Sequence, residues 1–65
     1  MSFNELIKIL KVNGFALDAE KGSVRIYRKA GWPKAIRVDY HGSHEIAKGT
    51  AEAILKSAGI KDWRK

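Results

Sequence analysis

The stretch "FALDAEKGSVRIYRKAGWPKAIRVDY", residues 15–40, decides the fold, because its apolar side chains recur at every second position. Such alternation is typical of β-strands, whose successive side chains point to opposite faces of a sheet. A turn at Lys21-Gly22 separates the first strand from the second, and a turn at Ala30–Pro33 precedes the third. The stretch therefore predicts three consecutive antiparallel strands.

The alternation also predicts which side chains share a face of this sheet. The apolar face is expected to carry Val24, Ile26, Ile36 and Val38. The opposite face is expected to carry Arg25, Tyr27, Lys29, Arg37 and the later His41. We therefore expect one apolar face and one cationic face.

Two amphipathic helices flank the predicted sheet. Ser2 and Glu5 have the spacing of a capping box, so the first helix is expected to begin directly after Ser2. Gly14 is expected to end it. Thr50 is expected to cap the second helix. Both helices carry an apolar stripe and are expected to cover the apolar face of the sheet. The order predicts an α+β fold, α-β-β-β-α, with both helices on one face and a single domain over residues 1–65.

The composition limits the classes of function. The chain of 65 residues has no cysteine, which excludes disulfides and thiolate metal clusters. No apolar run approaches the roughly 20 residues of a membrane span, and the first residues lack a secretory signal, so we expect a cytoplasmic protein that does not contact membranes. The 13 Lys and Arg residues against 7 Asp and Glu residues give a net charge of +6, which favours polyanionic partners.

Residues 21–38 concentrate positive charge without an intervening acid, which favours RNA binding. Lysine and arginine neutralise phosphates, and aromatic rings stack on unpaired bases. The candidate RNA contacts are Lys21, Arg25, Tyr27, Lys29, Trp32, Arg37 and Lys48. Alternatives remain for each kind of residue. The cations can form a solvated face, Tyr27 can shield the sheet, Trp32 can pack over a helix end, and Lys48 can belong to an ordinary helix cap.

Four segments together resemble the HicA family of bacterial toxins, which are mRNA interferases. They are "ELIKILKVNGF" (residues 5–15), "KGSVRIYRK" (21–29), "YHG" (40–42) and "KGTAEAILKSAGI" (48–60). The resemblance implies a fold similar to the double-stranded-RNA-binding domain, an endoribonuclease activity on mRNA, and neutralisation by a HicB-like antitoxin.

One position departs from the family pattern. The resemblance implies a catalytic histidine after the Gly-Ser of the hairpin, and here Gly22-Ser23 is followed by Val24, which cannot transfer a proton. His41 is the candidate catalytic residue in its place, since imidazole has an ordinary pKa of about 6.5 and serves as general acid or base. The alternative is a solvated loop histidine. The spacing of His41 and His44 suits a metal, but the Gly-Ser loop offers no helical platform, and we expect no metal or cofactor.

Three functions are compatible with this pattern. The first is a HicA-type toxin that binds and cleaves mRNA. The second is a catalytically silent RNA-binding module of the same fold, and the third is a module that mainly docks the antitoxin. Direct DNA binding by a helix-turn-helix is not expected, because the chain ends before a recognition helix.

Overall fold

The computed structural model describes residues 1–61 of the 65-residue chain. The element order is α1 (Phe3–Val12), β1 (Ala16–Lys21), β2 (Val24–Arg28), β3 (Ile36–Asp39) and α2 (Lys48–Ser57). This order confirms the predicted α+β fold. Of the helices in the described part of the chain, none has the length and apolar character needed to cross a membrane.

The three strands form one antiparallel sheet in the order β1-β2-β3, with β2 in the middle. The hairpin between β1 and β2 turns at Gly22, whose φ of 59° lies in the left-handed region that glycine tolerates without strain. A register shift interrupts the β1–β2 pairing between Leu17 and Ala19. β1 therefore contains a bulge at Asp18.

Helix α1 begins and ends as the sequence predicts. The Ser2 hydroxyl accepts a hydrogen bond from the Glu5 backbone N–H at 3.2 Å, and the Glu5 carboxylate accepts one from the Ser2 backbone N–H at 3.3 Å. Gly14 follows the helix with a φ of 93°, and the Phe15 N–H donates to the Leu10 carbonyl at 3.0 Å. These bonds satisfy groups that a helix end otherwise leaves without partners.

Helix α2 begins earlier than predicted. Lys48 is its first residue and Ala47 its cap, with no side-chain hydrogen bond at the cap, so the prediction that Thr50 caps the helix is wrong. Thr50 instead lies in the first turn, since the Ala51 N–H already donates to the Ala47 carbonyl at 2.9 Å. The predicted ending is confirmed at Gly59, whose φ is 69°.

Both helices contribute to one hydrophobic core against the sheet. Leu6 and Leu10 of α1 and Leu55 of α2 are fully buried. Each such side chain contributes about 1.5–3 kcal/mol on leaving water. The sheet and the connecting segments supply further large core residues, Phe15, Tyr27, Ile36, Val38, Ile46 and Ile60. Since β2 and β3 bury one face under the helices, the opposite face of the sheet is left open.

Candidate site at the hairpin end of the open sheet face

The buried face of β2 carries Tyr27 rather than Ile26. Tyr27 lies opposite Ile36 in the β2–β3 pairing, and the two residues are only 1% and 2% exposed. Because side chains alternate along a strand, Arg25 shares the helix side with Tyr27. Arg37, opposite Ile26, belongs to the other face. The prediction that Arg25, Tyr27 and Arg37 share an open cationic face is therefore wrong.

The error has a physical cause in the sequence of β2. Apolar side chains occur at positions 24, 26 and 27, so alternation within β2 is compatible with either choice of buried face. The long connection over residues 29–35 does not fix the parity of β2 relative to β3. An aromatic ring of the size of Tyr27 buries about 150–250 Å², which favours placing it under the helices. A buried ring is not available to stack on a base.

The open face, as we call the side of the sheet away from the helices, is mixed in charge. The strand pairing assigns to it Ala16, Ala19, Lys21, Val24, Ile26, Arg28, Arg37 and Asp39. Arg28 pairs with Asp18 at 3.1 Å. Val24 and Ile26 are half-buried side chains in the central strand. The open face is therefore an apolar centre with charges around it, and not the continuous cationic surface that the sequence suggested.

Arg25 lies on the helix side, in a groove beside α1. Its guanidinium carbon is 3.8 Å from the centroid of the Tyr40 ring, and its Nε is 3.4 Å from the Glu20 carboxylate. The groove has a volume of about 390 Å³ and is also lined by Lys8 and Lys11. The pKa of Arg25 is raised above its usual value, first by a hydrogen-bonding contact with the Tyr27 side chain and also by the negative charge of Glu20. Arg25 is thus held by neighbours within the fold.

The other expected RNA contacts are dispersed. Lys29 extends its ammonium to 5.7 Å from the Phe15 ring centroid. The Trp32 Nε1–H donates to the Ser57 carbonyl at 3.0 Å, which is the helix-end packing that the sequence allowed as an alternative. Lys48 is exposed at the start of α2. Of the expected contacts, Lys21 and Arg37 remain together on the open face.

A polar cluster lies at the hairpin end of the open face. The Ser23 hydroxyl donates to Asp39 Oδ1 at 2.7 Å, and His41 Nε2 is 3.7 Å from the same oxygen. The His41 ring also meets the Phe3 ring edge-on, with the centroids 5.3 Å apart. The imidazole is half-exposed and lies between a carboxylate and an aromatic ring.

This cluster adjoins Val24. Asp39 lies directly opposite Val24 in the β2–β3 pairing, and Lys21 lies opposite Val24 in the β1–β2 pairing. Lys21, Val24 and Asp39 therefore form a row across the sheet, and His41 follows two residues after Asp39 with Nε2 3.7 Å from its carboxylate. A base, a carboxylate beside it and a cation are the groups that proton transfer at a phosphodiester needs. We call Lys21, Ser23, Val24, Asp39 and His41 the hairpin-end site.

Sequence reasoning identified His41 and Lys21 and missed Asp39 and Ser23. A signal was present, because Asp39 is two residues before His41 in a region of period two. The proximity of Ser23 and Val24 to Asp39 depends on the register between β2 and β3, which the sequence pattern does not specify.

A metal ion would need a group of at least three ligating side chains, and among residues 1–61 no such group of His, Cys, Asp or Glu is present.

Comparison with known proteins identifies the family. A family model described as the HicA toxin of bacterial toxin–antitoxin systems matches residues 3–60. No protein with a curated description matches the chain. The family match includes the whole of the sheet, both helices and the hairpin-end site. The chain therefore belongs to the HicA toxin family.

Proposed function

We propose that the protein is an RNA-cleaving toxin in which His41 acts as the proton-transfer residue and Asp39 positions it. Membership of the HicA toxin family supports the toxin role. The net charge of +6 supports a polyanionic substrate, which we take to be mRNA. The observation that carries the proposal is the contact between His41 and Asp39 next to Val24, the position that the family resemblance gives to a histidine.

The reaction is a transfer within the RNA strand. His41 removes the proton of a ribose 2′-hydroxyl, and the 2′-oxygen attacks the adjacent phosphorus. A new bond from the 2′-oxygen to phosphorus forms as the bond from phosphorus to the 5′-oxygen breaks, which leaves a cyclic phosphate. A proton from the imidazolium or from water neutralises the leaving 5′-oxygen. Lys21 stabilises the negative charge on the phosphate oxygens.

Asp39 determines which imidazole nitrogen faces the substrate. Its Oδ1 is on the side of Nε2, and a carboxylate there stabilises a proton on that nitrogen. Nδ1 is then the nitrogen that accepts the 2′-hydroxyl proton. The Ser23 hydroxyl bound to the same oxygen limits the rotation of the carboxylate. In the proposed site, Asp39 and Ser23 thus favour one orientation of the His41 ring.

The apolar centre of the open face supports a second candidate function. Val24 and Ile26 are half-buried, with no helix over them in the described part of the chain. An apolar centre with a charged rim is typical of protein interfaces. We propose that a HicB-like antitoxin docks here and covers the hairpin-end site. A catalytically silent module that only binds RNA or the antitoxin is the competing function.

Inducible expression in bacteria tests the proposal. The native chain is expected to arrest growth and to shorten transcripts. His41→Ala is expected to abolish both effects, whereas His44→Ala, the matched control for loss of an exposed histidine, is expected to retain them. Cleavage that survives in His41→Ala would remove His41 from the chemistry. A harmless native chain that becomes toxic on Val24→His would establish the silent module instead.

A further inference from the structure

The outer edge of β3 has backbone groups that point away from the sheet. The Tyr40 N–H donates to the Ser23 carbonyl at 2.8 Å, which places the backbone groups of Tyr40 on the β2 side. Hydrogen-bonding direction alternates along an antiparallel strand, so Val38 also faces β2. The N–H and C=O groups of Arg37 and Asp39 therefore point outward. β3 pairs with β2 alone among the described strands.

The two edges of the sheet differ in how open they are to pairing. β1 carries a bulge at Asp18, and a bulge disrupts the regular spacing that a further strand would need. β3 has no register shift over its four residues, Ile36–Asp39. Regular edges with outward backbone groups favour the addition of a strand. β3 is thus the edge at which a strand can pair.

We propose that β3 pairs with β3 of a second copy of this chain, antiparallel and centred on Val38. In this register Arg37 lies opposite Asp39 of the second copy, and Asp39 lies opposite Arg37 of the second copy. Both are outward-facing residues, so each pair exchanges backbone hydrogen bonds as an antiparallel ladder requires. Each pair also places opposite charges across the interface on the open face, which stabilises neighbouring strands. Because the dimer has a two-fold axis, the pairing of Arg37 with Asp39 of the other copy occurs twice.

The space beside β3 suits this arrangement. A groove of about 180 Å³ between β3 and α2 is lined by Ala35, Ile36, Arg37, Ala53, Ile54 and Ser57. Ala53 and Ser57 are exposed on α2 and have small side chains. When two β3 strands pair, α2 of the second copy approaches the same groove, and small side chains permit that approach. Pairing joins the two three-stranded sheets into one continuous sheet.

The dimer has a consequence for the hairpin-end site. Asp39 Oδ1 is the oxygen that accepts from Ser23 and lies nearest His41, so Oδ2 is the oxygen positioned to meet Arg37 of the second copy. Each site then gains a guanidinium from the other chain. The proposal is nevertheless independent of RNA cleavage, because it concerns the association of the chain with itself.

Charge reversal tests the register. We expect analytical ultracentrifugation of the purified chain to show a concentration-dependent dimer. Arg37→Asp and Asp39→Arg each create like-charge pairs and are expected to weaken the dimer at least tenfold. The double variant R37D/D39R restores opposite charges and is expected to recover it. An equimolar mixture of the two single variants is expected to form a mixed dimer, because its pairs are again complementary.

Lys21→Asp is the matched control, since it reverses a charge on the same face at the β1 edge and is expected to leave the dimer unchanged. Circular dichroism of every variant confirms that the fold is retained. A native chain that stays monomeric at the concentrations used for NMR spectroscopy would overturn the proposal, and the edge would then be left to a strand of another protein. Equal weakening by Lys21→Asp, or no recovery in the double variant and in the mixture, would overturn the register.

Discussion

The ring of Trp32 lies against Gly59, so that a methyl group built at Gly59 would be 2.6 Å from Cη2 of the ring. The same indole donates from Nε1 to the Ser57 carbonyl at 3.0 Å. The loop after β2 therefore packs against the end of α2 at Gly59. Two separate reasons favour glycine at this position. The φ of 69° at Gly59 disfavours any residue with a side chain, and the Trp32 indole occupies the space that a side chain would need.

We expect Gly59→Ala to lower the free energy of unfolding more than Gly31→Ala. Gly31 has a similar φ of 80° but no atom within 4 Å of a methyl group placed there, so its substitution measures the backbone strain alone. That strain costs about 1–2 kcal/mol. In Gly59→Ala, displacement of the Trp32 indole adds a further cost of about 1–3 kcal/mol. Urea unfolding of both variants gives the difference between their free energies of unfolding. Equal losses in the two variants would show that the indole moves aside without an energetic penalty.

Tyr27 is expected to act as a core residue in stability measurements. A chain of 65 residues has about 3–10 kcal/mol of total stability, and loss of a buried aromatic ring costs about 3–5 kcal/mol. Tyr27→Ala should therefore remove a third or more of that stability, which urea unfolding measures. Tyr27→Phe keeps the ring and should cost about 0.5–1.5 kcal/mol through the hydroxyl. A folded Tyr27→Ala that loses only RNA affinity would instead favour base stacking.

The contrast between α1 and the sheet shows what the sequence could predict. The limits of α1 follow from local chemistry, because the capping box and Gly14 satisfy the backbone groups at the two ends of the helix. Such signals need no knowledge of distant residues. The number and order of the strands were likewise predictable, since each strand shows its own alternation and each turn its own glycine.

Local signals did not predict which side chains of β2 point toward the helices. Val24, Ile26 and Tyr27 allow both parities, and only packing against β3 and the helices selects between them. The hairpin-end site depends on the same choice. His41 is visible in the sequence, whereas its neighbours Asp39 and Ser23 come together only when Val24 is paired with Asp39. Local structure was therefore predictable, and the composition of the faces depended on tertiary contacts.

The two helix caps predict opposite effects of small substitutions. Ser2→Ala removes the hydroxyl that accepts from the Glu5 N–H and should lower the free energy of unfolding by about 1 kcal/mol. Ala47 caps α2 without a side-chain bond, in an extended conformation with a ψ of 137°. Ala47→Ser should therefore raise the free energy of unfolding by about 0.5–1 kcal/mol. Thermal and urea unfolding check both signs, and a loss in Ala47→Ser would show that the cap is already satisfied by other groups.

The position of Lys21 predicts a specific change in the salt dependence of RNA binding. Lys21 and Asp39 lie on the two sides of Val24 on the open face, and the proposed reaction uses the Lys21 ammonium to contact the phosphate. Each phosphate contact to single-stranded RNA contributes about 0.7 to the slope of log affinity against log salt. Lys21→Ala should reduce the slope by about this amount and should slow cleavage further, because the same charge stabilises the transition state.

Lys56→Ala is the matched control for Lys21→Ala, since Lys56 is an exposed lysine in the last turn of α2, on the helix side of the sheet. Fluorescence anisotropy with a labelled single-stranded RNA over a salt series should show a normal slope for this variant. If Lys56→Ala reduced the slope as much as Lys21→Ala, the RNA would be held by the overall charge of the protein and not by the hairpin-end site. Because net charge falls equally in both variants, the difference between their slopes measures the local contact alone.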